Sequence, residues 1–250
     1  MSTAADPALT GLLGLAVRAA QHGAEQCMAR LGDWVVVTTK GAAGDLVTAV
    51  DRAAEEAVRT VLLAARPDDS VLGEELRRHD GSSGLQWVVD PLDGTTNFTR
   101  RIPFFATSVA VRRGDDWLAG AVCAPALGTT WSAARGLGAH RETASGRESL
   151  PLAMLASSAR LLGTGLSYDA GQRRRQVREL SGLLADYTDL RRFGAAAVDL
   201  CLVAQGSLDA FVEDDLAVHD WAAGALIAEE AGAQVRRSTD RDAGVSAVWR

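Results

Sequence analysis

The apolar positions of this chain switch between helical and strand spacings, and the switches mark its elements. Residues 8–31, rich in Ala and Leu, predict a first helix. Val35-Val36-Val37-Thr38-Thr39 is a β-branched run, the composition of a strand, and Gly41-Ala42-Ala43-Gly44 predicts a turn after it. From Val50 to about Ala65, apolar residues recur at Val50, Ala54, Ala57, Val58, Val61 and Leu62, which is one face of a helix. Thr48 or Asp51 stands where that helix would be capped. Leu85-Gln86-Trp87-Val88-Val89 predicts a short strand that runs directly into Asp90. Three strand-like runs at 104–112, 117–123 and 129–134, separated by Gly-containing turns, predict an antiparallel sheet. Gly136 to Pro151 is polar and reads as a loop with a short strand. Beyond it the pattern predicts a strand at 160–167, a helix at 172–186, a buried helix from Gly194 to Ala204, a strand from Asp209 to Glu213 and a helix from Trp221 to Ala231.

Helices around at least two groups of strands predict a layered α+β or α/β domain. At 250 residues the chain fits a single domain over 1–250, with a soft lobe boundary near 140–155. A hydrophobic fraction of 47% is enough for a buried core, and no apolar run approaches the roughly 20 residues that span a bilayer. A membrane location is therefore not expected. Met1 to Pro7 lacks a basic start and an apolar stretch, so no secretory signal is expected. Cys27, Cys123 and Cys201 are far apart and read as core residues of a reducing, cytoplasmic protein. Four scattered histidines argue against a zinc site built on His and Cys. The net charge of −6 argues against a large nucleic-acid surface, and the run Arg173-Arg174-Arg175 reads as a solvated helix face.

The chemistry concentrates in Asp90-Pro91-Leu92-Asp93-Gly94-Thr95-Thr96. Pro91 fixes its φ and Gly94 permits backbone angles other residues avoid, so the segment can aim two carboxylates and the Leu92 carbonyl at one point. Magnesium takes such hard oxygen ligands. A helix starting at Thr95 would turn free N–H groups toward the same point, where a phosphate would bind. Taken alone, the segment reads equally well as a plain turn, since all its residue types favour turns. Three further acidic segments stand at element junctions: Asp45 to Asp51, Gly73-Glu74-Glu75, and His219-Asp220-Trp221-Ala222-Ala223-Gly224 with Glu230-Ala231-Gly232 behind it.

On these segments the chain resembles the inositol monophosphatase family, from about Lys40 to Val235. The motif Asp-x-Val-Thr-x-x-Asp is met at Asp45 to Asp51, and Gly-Glu-Glu at 73–75. Asp-Pro-Leu-Asp-Gly-Thr-Thr-Asn-Phe is met without change from Asp90 to Phe98. Gly194 to Ala197 and Asp220 to Gly224 follow in order. The resemblance implies an α-β-α-β-α sandwich, commonly a homodimer, that uses two or three magnesium ions to hydrolyse a small phosphate ester by direct attack of water. Glu74, Asp90 and the Leu92 carbonyl would hold one ion, and Asp90, Asp93 and Asp220 a second. A third ion would sit beside Glu74. Thr95 and Asp45 would orient the water near Glu74, and N–H groups of Gly94, Thr95 and Thr96 would hold the phosphate. Asp93, Ala196, Glu213 and Asp220 would contact the alcohol portion, with Lys40 at the rim.

Several positions depart from the family pattern. His219 stands where Trp usually precedes the aspartate at 220, and Trp221 follows it instead. The usual Glu-x-Gly is Glu213-Asp214-Asp215, which makes the alcohol side of the pocket acidic and adds His219 as a candidate substrate contact. An Asn-Gly turn is replaced by His140-Arg141-Glu142-Thr143, and the last strand and helix look shortened. The leading expectation is a phosphatase of an inositol, sugar, cyclitol or amino-alcohol phosphate. The alternatives are a histidinol-phosphate, nucleotide 3′-phosphate or fructose-bisphosphate phosphatase, and a non-catalytic interaction protein on the same fold.

Overall fold

The computed structural model of the protein describes residues 6–32, 37–39, 46–152, 158–238 and 244–249. The first helix, α1 (Pro7–Ala29), is opened by Asp6, whose carboxylate accepts the Ala8 N–H at 2.9 Å, and by Pro7 at its first position. β1 (Val37–Thr39) and β2 (Leu46–Thr48) pair antiparallel and lead into α2 (Ala49–Ala65). The rest of the predicted strand, Val35 and Val36, and the turn at Gly41 to Gly44 lie outside the described residues.

Next come β3 (Ser70–Gly73), β4 (Gln86–Asp93) and the short α3 (Thr95–Thr99). β5 (Ala106–Arg113), β6 (Asp116–Ala124) and β7 (Thr129–Ala134) match the three predicted strands. Gly136 to Pro151 corrects the expectation of a loop with a short strand: it forms a hairpin of β8 (Ala139–Thr143) and β9 (Gly146–Ser149). Every residue of β9 is exposed, so the two-residue alternation that announces a half-buried strand is missing there. These strands make a seven-stranded sheet in the order β3-β4-β5-β6-β7-β8-β9, parallel only between β3 and β4.

The second half holds β10 (Leu161–Thr164), α4 (Ala170–Leu183), β11 (Asp189–Arg191), α5 (Ala196–Ala204), β12 (Ala210–Asp214), α6 (Val218–Ala231), β13 (Gln234–Ser238) and β14 (Gly244–Val248). The five strands form a second sheet ordered β11-β10-β12-β14-β13. β13 and β14 pair over five residues each, and β14 also pairs with β12.

Two apolar cores explain the layering. Leu15, Ala16, Val58 and Leu62 of α1 and α2 pack on Trp87, Val89 and Val109 of the large sheet. Val88 and Ala110 point to its other face, against Leu200 of α5 and Ile227 of α6, which also meet Phe211 and Ala247 of the second sheet. Alternate residues of β4 thus serve opposite cores, which is the period of two expected for a strand buried on both sides. α4 lies beside the second sheet, and its buried Gln176 accepts the Ser167 N–H and donates to the Asp214 carbonyl. This is the layered α+β architecture that the sequence predicts.

α5 and α6 approach closely because Gly224 carries no side chain. A Cβ there would lie 2.8 Å from Leu200 Cβ and 2.9 Å from the Ala197 carbonyl oxygen. Gly224→Ala is expected to destabilise the fold by about 1–3 kcal/mol through overpacking. Urea unfolding checks this, and an unchanged midpoint would show that the two helices can separate freely.

Candidate active site

β4 loses its pairing register between Asp90 and Asp93, where it should continue along β5. The break is stabilised from both sides. The Pro91 carbonyl accepts the Thr107 hydroxyl at 2.8 Å, and the Leu92 N–H donates to Asp90 Oδ1 at 3.0 Å. Such a bulge re-aims side chains, and it ends at Gly94, whose φ of +91° lies in the left-handed region. α3 starts at the next residue. Asp93 Oδ2 accepts the Ala197 N–H at 2.8 Å, so the first turn of α5 is tied to the end of β4.

The Thr95 hydroxyl lies 3.0 Å from Asp51 Oδ1 and 3.0 Å from the Leu92 carbonyl oxygen. Its carboxylate partner among the described residues is Asp51, in the first turn of α2, whereas the sequence led to Asp45. Asp45 and Lys40 lie outside the described residues. Both aspartates belong to one motif, six residues apart in sequence. Asp51, one of two candidate caps of α2 in the sequence, is 1% exposed and faces Thr95.

These groups open onto a cleft of about 600 Å³. Glu74, Asp90, Leu92, Asp93, Gly94, Thr95, Ala196, Glu213, His219 and Asp220 all line it. Thr96 stands beside it, its hydroxyl 3.0 Å from that of Tyr168. His219 Nε2 lies 3.5 Å from Asp220 Oδ1 and 3.9 Å from Glu74 Oε1. Trp221, which follows Asp220, is buried, edge-on to Trp117 at 5.7 Å.

Sequence reasoning missed Ser167, Tyr168 and Arg192, which line the cleft together with Asp215. Asp215 belongs to the acidic run Glu213-Asp214-Asp215 that the sequence puts on the pocket. Its φ is +70°, an angle that glycine adopts freely and aspartate better than most. Its Oδ2 accepts the Ser167 hydroxyl at 2.7 Å. Gly165 leaves room for the Glu213 carboxyl, which a Cβ at that position would overlap.

Burial, then the charges of Glu74, Asp93 and Asp220, push the Asp90 carboxyl well up. Asp93 is pushed up by burial and Asp220, against the pull of the Ala197 N–H. Burial raises Glu213 to about 8; Arg192 opposes the shift, whereas Asp220, Asp214 and Asp215 add to it. Like charges crowded out of water are the setting that a divalent cation relieves. The donors are all hard oxygens, the chemistry that magnesium prefers. Among the described residues, no three of the His, Cys, Asp and Glu side chains are already gathered into an ion cage. The donor chemistry fits magnesium, and the side chains would have to draw in around it.

The sequence profile of the inositol monophosphatase family matches residues 9–247. The chain belongs to the inositol monophosphatase family. It is 43% identical over 218 residues to the inositol-1-monophosphatase of Mycobacterium bovis, covering 85% of this chain and 75% of that protein. It is 39% identical over 241 residues to the Nus factor SuhB of Pseudomonas aeruginosa, covering 90% and 84%. The crystal structure of the extragenic suppressor protein SuhB from Bartonella henselae superposes with a TM-score of 0.86 at 33% identity, over 95% of this chain and 93% of that one. Family membership supports a phosphatase, and the family is generally metal-dependent. Among the described residues no helix is long and apolar enough to cross a membrane.

The raised carboxyls set the pH response of the metal-free protein. Between its ordinary value of 4.5 and its folded value of about 8, Glu213 holds its proton more tightly in the folded chain than in the unfolded one. Stability is therefore full below the ordinary value and falls as pH rises through the folded one. Asp90 and Asp93 shift in the same direction. In chelator, the urea midpoint is expected to drop from about pH 5 to about pH 8, with a shallower drop in Glu213→Gln. An equal drop in that variant would remove Glu213 from the account.

Proposed function

We propose that the protein hydrolyses small phosphate monoesters with magnesium, and that inositol phosphate or a related sugar, cyclitol or amino-alcohol phosphate is its substrate. The observation that carries the reading is the convergence of Glu74, Asp90, Asp93 and Asp220 on one cleft with the Thr95–Asp51 pair. Glu74, Asp90 and the Leu92 carbonyl would hold one ion and Asp90, Asp93 and Asp220 another, with room for a third beside Glu74. Magnesium bound there supplies charge neutralisation at the phosphoryl oxygens and at the leaving oxygen, and lowers the pKa of water.

The chain's own residues do the positioning. Asp51 fixes the direction of the Thr95 hydroxyl, whose remaining lone pair can accept a hydrogen bond from the attacking water. Glu74 stands next to that water and can take up its proton. A helix start favours an anion. In this reading the N–H groups of Gly94, Thr95 and Thr96, at the start of α3, hold the phosphate. The Ala196 backbone, Asp93, Glu213, His219 and Asp220 meet the alcohol portion. Phosphoryl transfer of this kind depends on positioning and charge more than on covalent chemistry, so no phospho-enzyme is needed. A cytoplasmic homodimer completes the proposal.

A second reading is a non-catalytic interaction protein, which the relatives named Nus factor SuhB favour. The two part on turnover. Phosphate release should be measured with and without magnesium on a panel of inositol, sugar, histidinol, nucleotide 3′- and fructose-bisphosphate esters. Magnesium-dependent release from at least one of them is expected, and release from none would sink the phosphatase reading. Asp93→Asn removes a ligand charge while keeping an acceptor for the Ala197 N–H. It should lower kcat by on the order of 10²-fold or more, and wild-type turnover in that variant would exclude Asp93 from the site.

A further inference from the structure

Glu55 is 0% exposed, in the middle of α2. A carboxylate taken out of water this completely has to be held by donors. Its Oε2 accepts the Glu75 N–H at 2.7 Å and the Leu76 N–H at 3.2 Å. Its Oε1 accepts from Arg59 Nε at 2.8 Å. Arg59 continues into the same loop, donating to the Arg77 carbonyl at 2.9 Å and the Leu76 carbonyl at 3.2 Å. The third side of the carboxylate is the bare Cα of Gly73, where a Cβ would fall inside the Glu55 side chain. Residues 73 and 75–77 are thus all gripped from α2, and residue 74 is the acid that lines the cleft.

Glu55 lies four residues after Asp51 and four before Arg59, a spacing that places all three along one face of the helix. One end of that face receives the Thr95 hydroxyl; the middle and the other end hold the Glu74 loop. A single rigid helix therefore sets the distance between the Thr95–Asp51 pair and Glu74.

We propose that Glu55 is a positioning residue that fixes the backbone around Glu74 and thereby sets the site's affinity for magnesium. This deepens the reading of Glu74 as a magnesium ligand and rests on it. Glu55 touches neither substrate nor ion; it acts through the Glu75 and Leu76 amides. An ion pair that served only the fold would lower stability without regard to what stands at position 74.

Glu55→Gln keeps the shape but loses the charge that draws both amides and Arg59. Magnesium affinity by calorimetry is expected to weaken about tenfold, the usual effect of losing a residue that orients a ligand. In the same variant kcat should fall while KM changes little, and the Glu75 and Leu76 amides should exchange faster with deuterium in the metal-free protein. In a Glu74→Gln background, Glu55→Gln should cost almost no further magnesium affinity, because the two changes act through one group. Additive losses, or wild-type affinity in a folded Glu55→Gln variant, would overturn the proposal. Gly73→Ala displaces the same carboxylate from the loop side and should reproduce the phenotype. Should neither variant fold, the wild-type amides decide: protection of Glu75 and Leu76 supports the clamp, and fast exchange ends it. A wild-type protein that binds no magnesium would sink the proposed function, whereas the amide exchange reports on the clamp independently.

Discussion

Asp90 and Asp93 are carried on the end of a strand that is buried along nearly its whole length, and they share that end with Glu74 and Asp220. Four acids in so small a space repel one another, and burial removes the water that would screen them. Burial, together with that repulsion, pushes the Asp90 and Asp93 carboxyls up. Everything around them works to keep the acids in place in spite of it. The bulge after Asp90 is tied down through the Pro91 carbonyl, and the Leu92 and Ala197 N–H groups take one oxygen of each aspartate. The two apolar cores on either face of β4 supply the stability that this arrangement draws on.

The acids come from parts of the chain far apart in sequence, so their relative positions depend on how elements pack. β4 provides two, the loop after β3 provides Glu74, and the first turn of α6 provides Asp220. α6 is set against α5 through Gly224, and α5 is set against β4 through the Ala197 N–H on Asp93. On the other side, α2 reaches both the Glu74 loop and Thr95. A shift of either helix would move one acid relative to the others, which is why the local motifs coincide with points of close contact.

Much of this was legible in the sequence, and the reason differs from residue to residue. β5, β6 and β7 were readable because each is a long apolar run closed by a glycine-containing turn. The Asp90 to Thr96 segment was readable because proline, glycine and two acids in that order leave few conformations. The Thr95 partner was not, because Asp45 and Asp51 are equivalent in the motif, and only the start of α2 at Ala49 puts Asp51 on the face toward Thr95. β9 and β11 were missed for want of a buried face: β9 is wholly exposed, and β11 is a three-residue edge. Glu55 gave no signal, since a glutamate among Ala53-Ala54-Glu55-Glu56-Ala57 looks like any solvated helix acid until the loop is folded against it.

The two walls of the cleft also differ in how far sequence can speak for them. In the proposed reading the phosphate wall would be built from backbone amides, a carbonyl and acids whose identities follow from the reaction at phosphorus. The wall that would meet the alcohol carries charges that answer to one another: Arg192 pulls down both Glu213 and the buried Asp199, while Asp214 and Asp215 push Glu213 up. Asp215, at a φ of +70°, and His219 also line the cleft, and in the proposed reading an entering alcohol would meet them. In the metal-free protein a neutral polyol would find Glu213 able to donate as well as accept near neutral pH, given its value of about 8. A cationic alcohol would hold Glu213 ionised and draw its value back down. The charge state of Glu213 is therefore tied to the charge of whatever group lies beside it in the cleft.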